Sequence, residues 1–289
     1  SCTLGTYQPN YASTSCILAE PGHWVESDGA SQTQSCPLGT YGTSVGAVGI
    51  ETCISADPGY YVDSTGASSQ LECIAGTYNP VIGAISSADC LAADAGNYVE
   101  SSGSSEQTPC DLGTYQPNSG QIFCLESSSG TYVSNTGSSS VSDCSEGTYQ
   151  PNSGQSECID TSPGYFTSSV RASVQTPCLA GSYQPDPGSI TCLQADAGYH
   201  VPIEGQNMQT ICPAGQYQPQ PSSTECLITN PGEYSSEGST SPSPCLAGSY
   251  QSDSGQSGCV LADAGYYSSE ISSIEQTSCQ PGEYQSLTG

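Results

Sequence analysis

Apolar and polar residues alternate along this chain in very short strokes: an aromatic, one or two aliphatics, then a polar turn rich in Ser, Asn and Gly, repeated throughout. The stretch C-D-L-G-T-Y-Q-P-N-S-G-Q-I-F-C, from Cys110 to Cys124, shows one whole unit. Gly-x-Tyr followed by Gln-Pro or by Val, and then by such a turn, predicts a short two-stranded hairpin and little else. No segment keeps a helical apolar period beyond one turn, and Gly or Pro interrupts nearly every window of eight residues, so helices are not expected.

The hairpin signal recurs with a hidden period. Seventeen glycines, beginning Gly5, Gly22 and Gly39 and ending Gly282, stand mostly 17 residues apart. Two residues beyond each comes Tyr, replaced only by Trp24, Phe166 and His200. The chain thus reads as one tandem cysteine-rich array over residues 1–289, all-β, small and disulfide-rich, built from modules of about 17 residues with the last cut short. Odd modules open and close on cysteine. Even modules have lost both, carrying Ala19, Ala56, Ala93, Ser127, Thr161, Ala195, Thr229 or Ala262 at the opening and Thr33, Gln70, Gln107, Val141, Gln175, Gln209, Pro242 or Gln276 at the close.

Joint loss at two positions is what a bonded pair leaves behind, because one orphaned thiol is a liability in an oxidising compartment. The pairs expected are Cys2 with Cys16, Cys36 with Cys53, Cys73 with Cys90, Cys110 with Cys124, Cys144 with Cys158, Cys178 with Cys192, Cys212 with Cys226 and Cys245 with Cys259. Pairing across the longer steps, Cys16 with Cys36 and so on, is the alternative, since sequence does not fix connectivity. An aliphatic follows each closing cysteine (Ile17, Ile54, Leu91, Leu125, Ile159, Leu193, Leu227, Val260) and is expected to form, with the aromatic, an apolar plug at each junction. A disulfide closing such a loop contributes about 3 kcal/mol, against roughly 1.5 to 3 kcal/mol for the plug, so even modules should be the weaker links.

The order C-x-x-G-T-Y, a loop, a second Cys, two residues and another module resembles the ephrin-receptor-like cysteine-rich repeats of many surface proteins. It is also similar to the single-disulfide module of tumour necrosis factor receptors, whose cysteine pair brackets a G-T-Y loop. The resemblance spans the whole chain, with the departure that every second module lacks its cysteines, as at Ala93 and Gln107. It implies an elongated, all-β, secreted or cell-surface rod and carries no catalytic residues.

Composition agrees with a locally stapled chain. There are 17 Cys, 33 Gly and 20 Pro but only two Phe, one Trp and one Met, too little apolar bulk for one large core. Such cross-linking belongs outside the cell or in an oxidising lumen. A net charge of −27, with Arg171 the single base, repels phosphates and anionic membranes and excludes nucleic-acid binding as a function. No apolar run approaches a membrane span, and none of the eight Asn lies in an N-x-Ser/Thr sequon.

Candidate chemistry is sparse. The two histidines are His23, beside Trp24, and His200, read as a packing substitute in the aromatic slot, and no catalytic order accompanies them, so an enzyme is not expected. Asp57, Asp94, Asp196 and Asp263 recur two residues before Gly in even modules, where a side-chain oxygen capping the turn is favoured over a calcium site. No other cofactor is expected. The recurring tyrosines are read as packing groups rather than a sugar-binding ladder. Ser127, Ser128, Ser129, Ser138, Ser139, Ser140, Ser241 and Ser243 are candidate O-glycan sites, the last two within a Ser-Pro alternation.

Modules three and five alone carry three extra residues, and their loops are apolar: Val45, Val48 and Ile50 in one, Val81, Ile82 and Ile85 in the other. They lie one double module apart and are candidates for self-association or a partner. Cys279 has no partner in the sequence; Gly289 aligns with Gly120, which places the expected partner four residues beyond Gly289. The reading reached is an extracellular or cell-surface structural protein, a stapled rod, stalk or filament carrying O-linked sugar. The alternative is a receptor or adhesin ectodomain that binds a protein or glycan.

Overall fold

The computed structural model describes residues 1–289 and consists of sixteen two-stranded antiparallel sheets, each a hairpin of two-residue strands. In the module that opens at Cys110, strand Thr114–Tyr115 pairs with Leu125–Glu126 in the register Thr114 to Glu126 and Tyr115 to Leu125. The preceding even module repeats this with Asn97 opposite Pro109 and Tyr98 opposite Thr108. Helix is confined to two 3₁₀ turns, Ile50–Thr52 and Ser87–Asp89, both inside the enlarged loops. The chain divides into two compact units, Ser1–Ser142 with Asn152–Glu157, and Asp143–Pro151 with Cys158–Gly289.

An isolated hairpin of this size is marginal at best; within each unit the modules are joined by their backbones. At the junction between the modules opening at Ala93 and Cys110, four hydrogen bonds cross. Gly96 N donates to Gln116 O, Cys110 N to Gly96 O, Val99 N to Gln121 O and Gly120 N to Ala93 O, at 2.7 to 2.9 Å. The second unit repeats them: Gly198 N to Gln218 O, Cys212 N to Gly198 O, Val201 N to Ser223 O and Ser222 N to Ala195 O. A hairpin's otherwise orphaned donors and acceptors are thus satisfied by its neighbours, as buried backbone requires.

The same seams explain why one glycine per module never varies. Gly113 has φ +80°, and a Cβ there would stand 2.1 Å from Gly154 O of the loop two modules on. Gly96 meets Gly137 O at the same distance. No side chain fits. The loop glycine is different: Gly120 has only Ala92 Cβ near its absent Cβ, at 3.8 Å, and the equivalent position elsewhere accepts Ala12, Arg171, Ser222 and Ser272 at φ 59 to 61°. Gly289 N donates to Ala262 O as Gly120 N does to Ala93 O, so Gly289 occupies the loop-glycine position.

The core is a file of small side chains. The opening residue of every even module from Ala19 to Ala262 is at most 1% exposed, as are most opening cysteines, and Val25, Val62, Val99, Val133 and Val201 lie beside them. The apolar plug expected from the sequence does not form: the aliphatics after the closing cysteines are 38 to 51% exposed. They sit opposite the module's aromatic in the hairpin register, Ile17 across from Tyr7 and Leu125 across from Tyr115, on the outer face. Alternation turns the adjacent residue to the opposite face, so the inward position belongs to the residue directly after the aromatic.

Candidate interaction surface

Eight disulfides close the odd modules, Cys2–Cys16, Cys36–Cys53, Cys73–Cys90, Cys110–Cys124, Cys144–Cys158, Cys178–Cys192, Cys212–Cys226 and Cys245–Cys259, all along the shorter step. Cys279 is free and half-buried.

Even modules have a closure of their own. Asp57 N donates to Gln70 Oε1 and Gln70 Nε2 donates back to Asp57 Oδ2, both at 2.8 Å. The same reciprocal pair joins Asp94 to Gln107, Asp196 to Gln209 and Asp263 to Gln276. Ser162 and Gln175 form a weaker version, with side-chain atoms 3.5 Å apart. The expected capping role therefore needs correction. The turn into Gly-x-Tyr is closed by the aspartate's carbonyl, as in Tyr60 N to Asp57 O at 3.0 Å, while the carboxylate reaches across the module to the residue standing where the closing cysteine would be.

The residue after the aromatic carries a feature the sequence reading missed. In odd modules with loops of ordinary length it is a glutamine; Gln116, Gln150, Gln184, Gln218 and Gln251 are each at most 6% exposed, and Gln8 is half-buried. Gln116 Nε2 donates to Phe123 O at 2.8 Å and its Oε1 accepts from Asn118 N at 3.1 Å, so one buried amide spans the loop between the cysteines. Gln184, Gln218 and Gln251 repeat both bonds. In the enlarged modules the position shortens to Gly42 and Asn79. Asn79 still takes Val81 N on Oδ1 and donates to Val81 O and Tyr60 O.

The aromatic slot of an even module abuts the next disulfide. Trp24 packs with Cys36, Cys53 and Ala47, and Tyr61 lines a recess with Cys73 and Cys90. His200 stands in the same place, Nδ1 3.1 Å from Cys226 Sγ, and its ring nitrogen and the sulfurs of Cys212 and Cys226 lie within 4.8 Å of one another. His23 lies on the neighbouring strand position beside Trp24, its Nδ1 3.4 Å from Pro21 O. The structure does not bring the two histidines into one site.

The enlarged loops expose clustered apolar side chains. Val45, Val48, Ile50, Val81, Ile82 and Ile85 are 45 to 67% exposed, while Ala47 and Ala84 anchor the loops inward at 7%. Val25 N binds Ala47 O and Val62 N binds Ala84 O. The second loop is stiffened by a capping box, Ser86 with Asp89, and borders a cleft of about 440 Å³ lined by Asn79 to Ile85, Ala88, Asp89 and Leu91. Of the serine candidates, Ser128, Ser129, Ser139, Ser140 and Ser241 are exposed, Ser138 is half-buried and bonded to Asn135 O, and Ser243 is a strand residue. Ser127 is corrected: it is fully buried at a core position, its Oγ accepting from Gln155 N at 3.2 Å, and no transferase reaches it in the folded chain.

Residues 96–144, which span the Cys110–Cys124 module and its flanking cysteine-less neighbours, match the family described as tyrosine-protein kinase ephrin type A/B receptor-like. The disulfide series and this match support a cysteine-rich, ephrin-receptor-like module. It is an extracellular, non-catalytic type of domain and points to an extracellular or surface protein. Comparison with curated proteins gives no match. No helix is long and apolar enough to cross a membrane.

Proposed function

We propose that the chain is a structural element outside the cell: a stapled array that serves as a rod, surface stalk or filament and bears O-linked sugar on its exposed serines. The observation that carries this reading is the sameness of the junctions. The same four backbone bonds recur at junctions in both units, and the changes between modules are single replacements on one backbone, such as His200 in the aromatic slot, whereas binding sites distort the repeats that form them. The acidic surface keeps such an array soluble.

The enlarged loops of modules three and five favour a second component of this reading, side-to-side contact between arrays, because both expose clustered aliphatics and the second borders a formed cleft. Electron microscopy of native material tests both. Long filaments or stalks are expected, and the double substitution Val48→Ser with Ile82→Ser is expected to disperse lateral assemblies while leaving single arrays intact. Assemblies unchanged by that variant remove the loops from the contact. Compact single particles that bind one ligand stoichiometrically favour the receptor or adhesin alternative.

A further inference from the structure

Seven of the eight disulfides follow an even module, and in six of those the residue two beyond its glycine is Trp24, Tyr61, Tyr98, Tyr132, Phe166 or Tyr234. Before Cys212–Cys226 it is His200, the one occupant of the slot that carries a proton acceptor and donor in the ring. Its Nδ1 lies 3.1 Å from Cys226 Sγ, and a ring nitrogen is within 4.8 Å of Cys212 Sγ. Everywhere else the field is hostile to thiolates, since the chain has a net charge of −27 and its only arginine is Arg171. Thiol–disulfide exchange needs a thiolate to approach and another to leave, and a cationic neighbour favours both.

We infer that Cys212–Cys226 is a thiol-exchange site, opened by external dithiols faster than the six other internal disulfides because the His200 imidazole receives the departing sulfur. Cys226 is half-buried whereas Cys212 is fully buried, so attack falls on Cys226. The dithiol's thiolate bonds to Cys226 Sγ, the bond to Cys212 breaks, and Cys212 leaves with the electron pair as a thiolate facing the imidazole. The second thiol of the reagent, as thiolate, then attacks the mixed disulfide at its own sulfur. Cys226 departs as thiolate next to the same imidazole, the dithiol is oxidised to its cyclic disulfide, and the protein disulfide is reduced by two electrons. Module 13 then keeps its backbone seams and the Gln218 clamp, with Nε2 2.7 Å from Glu225 O, and loses only its staple. This inference does not depend on whether the array is a rod or a receptor.

Graded reduction of the folded chain with dithiothreitol, alkylation and peptide mass spectrometry reads the rate at each pair. Cys2–Cys16 is left out of the comparison because Cys16 is exposed. Cys212 and Cys226 are expected to be alkylated roughly tenfold faster than the mean of the others, following the dependence of exchange on thiolate stability. His200→Tyr, which restores the residue most modules use, is expected to abolish the difference. Tyr234→His is expected to confer it on Cys245–Cys259. Equal rates in the unaltered chain overturn the inference. So does a fast Cys212–Cys226 pair that stays fast in His200→Tyr, which would place the cause in the module rather than the imidazole.

Discussion

Odd and even modules share one backbone and differ in how they are shut. In the module opening at Cys110 the ends are joined by a covalent bond, and a buried Gln116 ties down the loop. In the module opening at Ala93 the ends are joined by the Asp94–Gln107 pair, and Val99 takes the inward position. Both make the same four bonds to their neighbours. The architecture therefore resides in the seams between modules, and closure is a local device that differs between the two module types. It follows that a change at a seam should cost the same in either module type, whereas a change at the closure should not.

The largest expected effect is at the seam. Gly113→Ala and Gly96→Ala each drive a Cβ to 2.1 Å from a carbonyl of the loop two modules on, at φ +80 and +88°. Left-handed strain alone costs on the order of 1 to 3 kcal/mol, and the backbone contact adds to it. Both substitutions should destabilise by about 3 kcal/mol or more in denaturant unfolding, and by similar amounts. A much milder Gly96→Ala would show that even modules are loosely seated and would break the comparison at its root.

Removing a staple comes next. Cys110→Ala with Cys124→Ala should lose about 3 kcal/mol by loop entropy, measured on the same unfolding curve. The module should stay folded between its neighbours, because its backbone bonds and the Gln116 clamp remain. Gln116→Ala should follow at roughly 1 to 3 kcal/mol, the range for leaving a buried carbonyl and amide unpaired. Hydrogen exchange at Asn118, whose N–H the glutamine receives, should rise in that variant.

How far this architecture was legible beforehand depends on what kind of position is asked about. The period was legible because the glycine admits no substitute, so Gly5 through Gly282 mark every module. The odd-module pairs were legible because cysteine is lost two at a time. The faces were not. Ile17 and Leu125 look like core residues by composition, yet with two-residue strands there is no alternation long enough to say which side points in. Gln116 and its equivalents stand in the sequence only as the residue that follows Gly-x-Tyr, and nothing local announces that the amide will be buried. The even-module closure, by contrast, left a signal. Asp57, Asp94, Asp196 and Asp263 each stand thirteen residues before a glutamine, while Glu20, Ser128 and Asn230 stand before Thr33, Val141 and Pro242. Apart from Ser162 before Gln175, the two positions vary together as the lost cysteines do, and for the same reason.

The smallest effects belong to that closure, and they sharpen the comparison most. Gln107→Ala removes two exposed hydrogen bonds and should cost about 0.5 to 1.5 kcal/mol, well under the loss of a disulfide; an equal cost would make the pair a full substitute for the staple. Gln107→Glu asks what the aspartate is committed to. In the native module the amide nitrogen sits 2.8 Å from Asp94 Oδ2, so the carboxylate has a neutral donor and no need of a cation. Replacing the amide with a carboxylate removes that donor, sets two negative charges against each other and offers a pair of carboxylates, the ligand type calcium takes. The variant should unfold earlier than Gln107→Ala in the presence of a chelator and recover with added calcium, while the unaltered chain should show the same midpoint with chelator and with calcium. A calcium response in the unaltered chain would mean that the aspartates hold an ion despite the glutamine, and the closure of even modules would then be ionic rather than an amide pair.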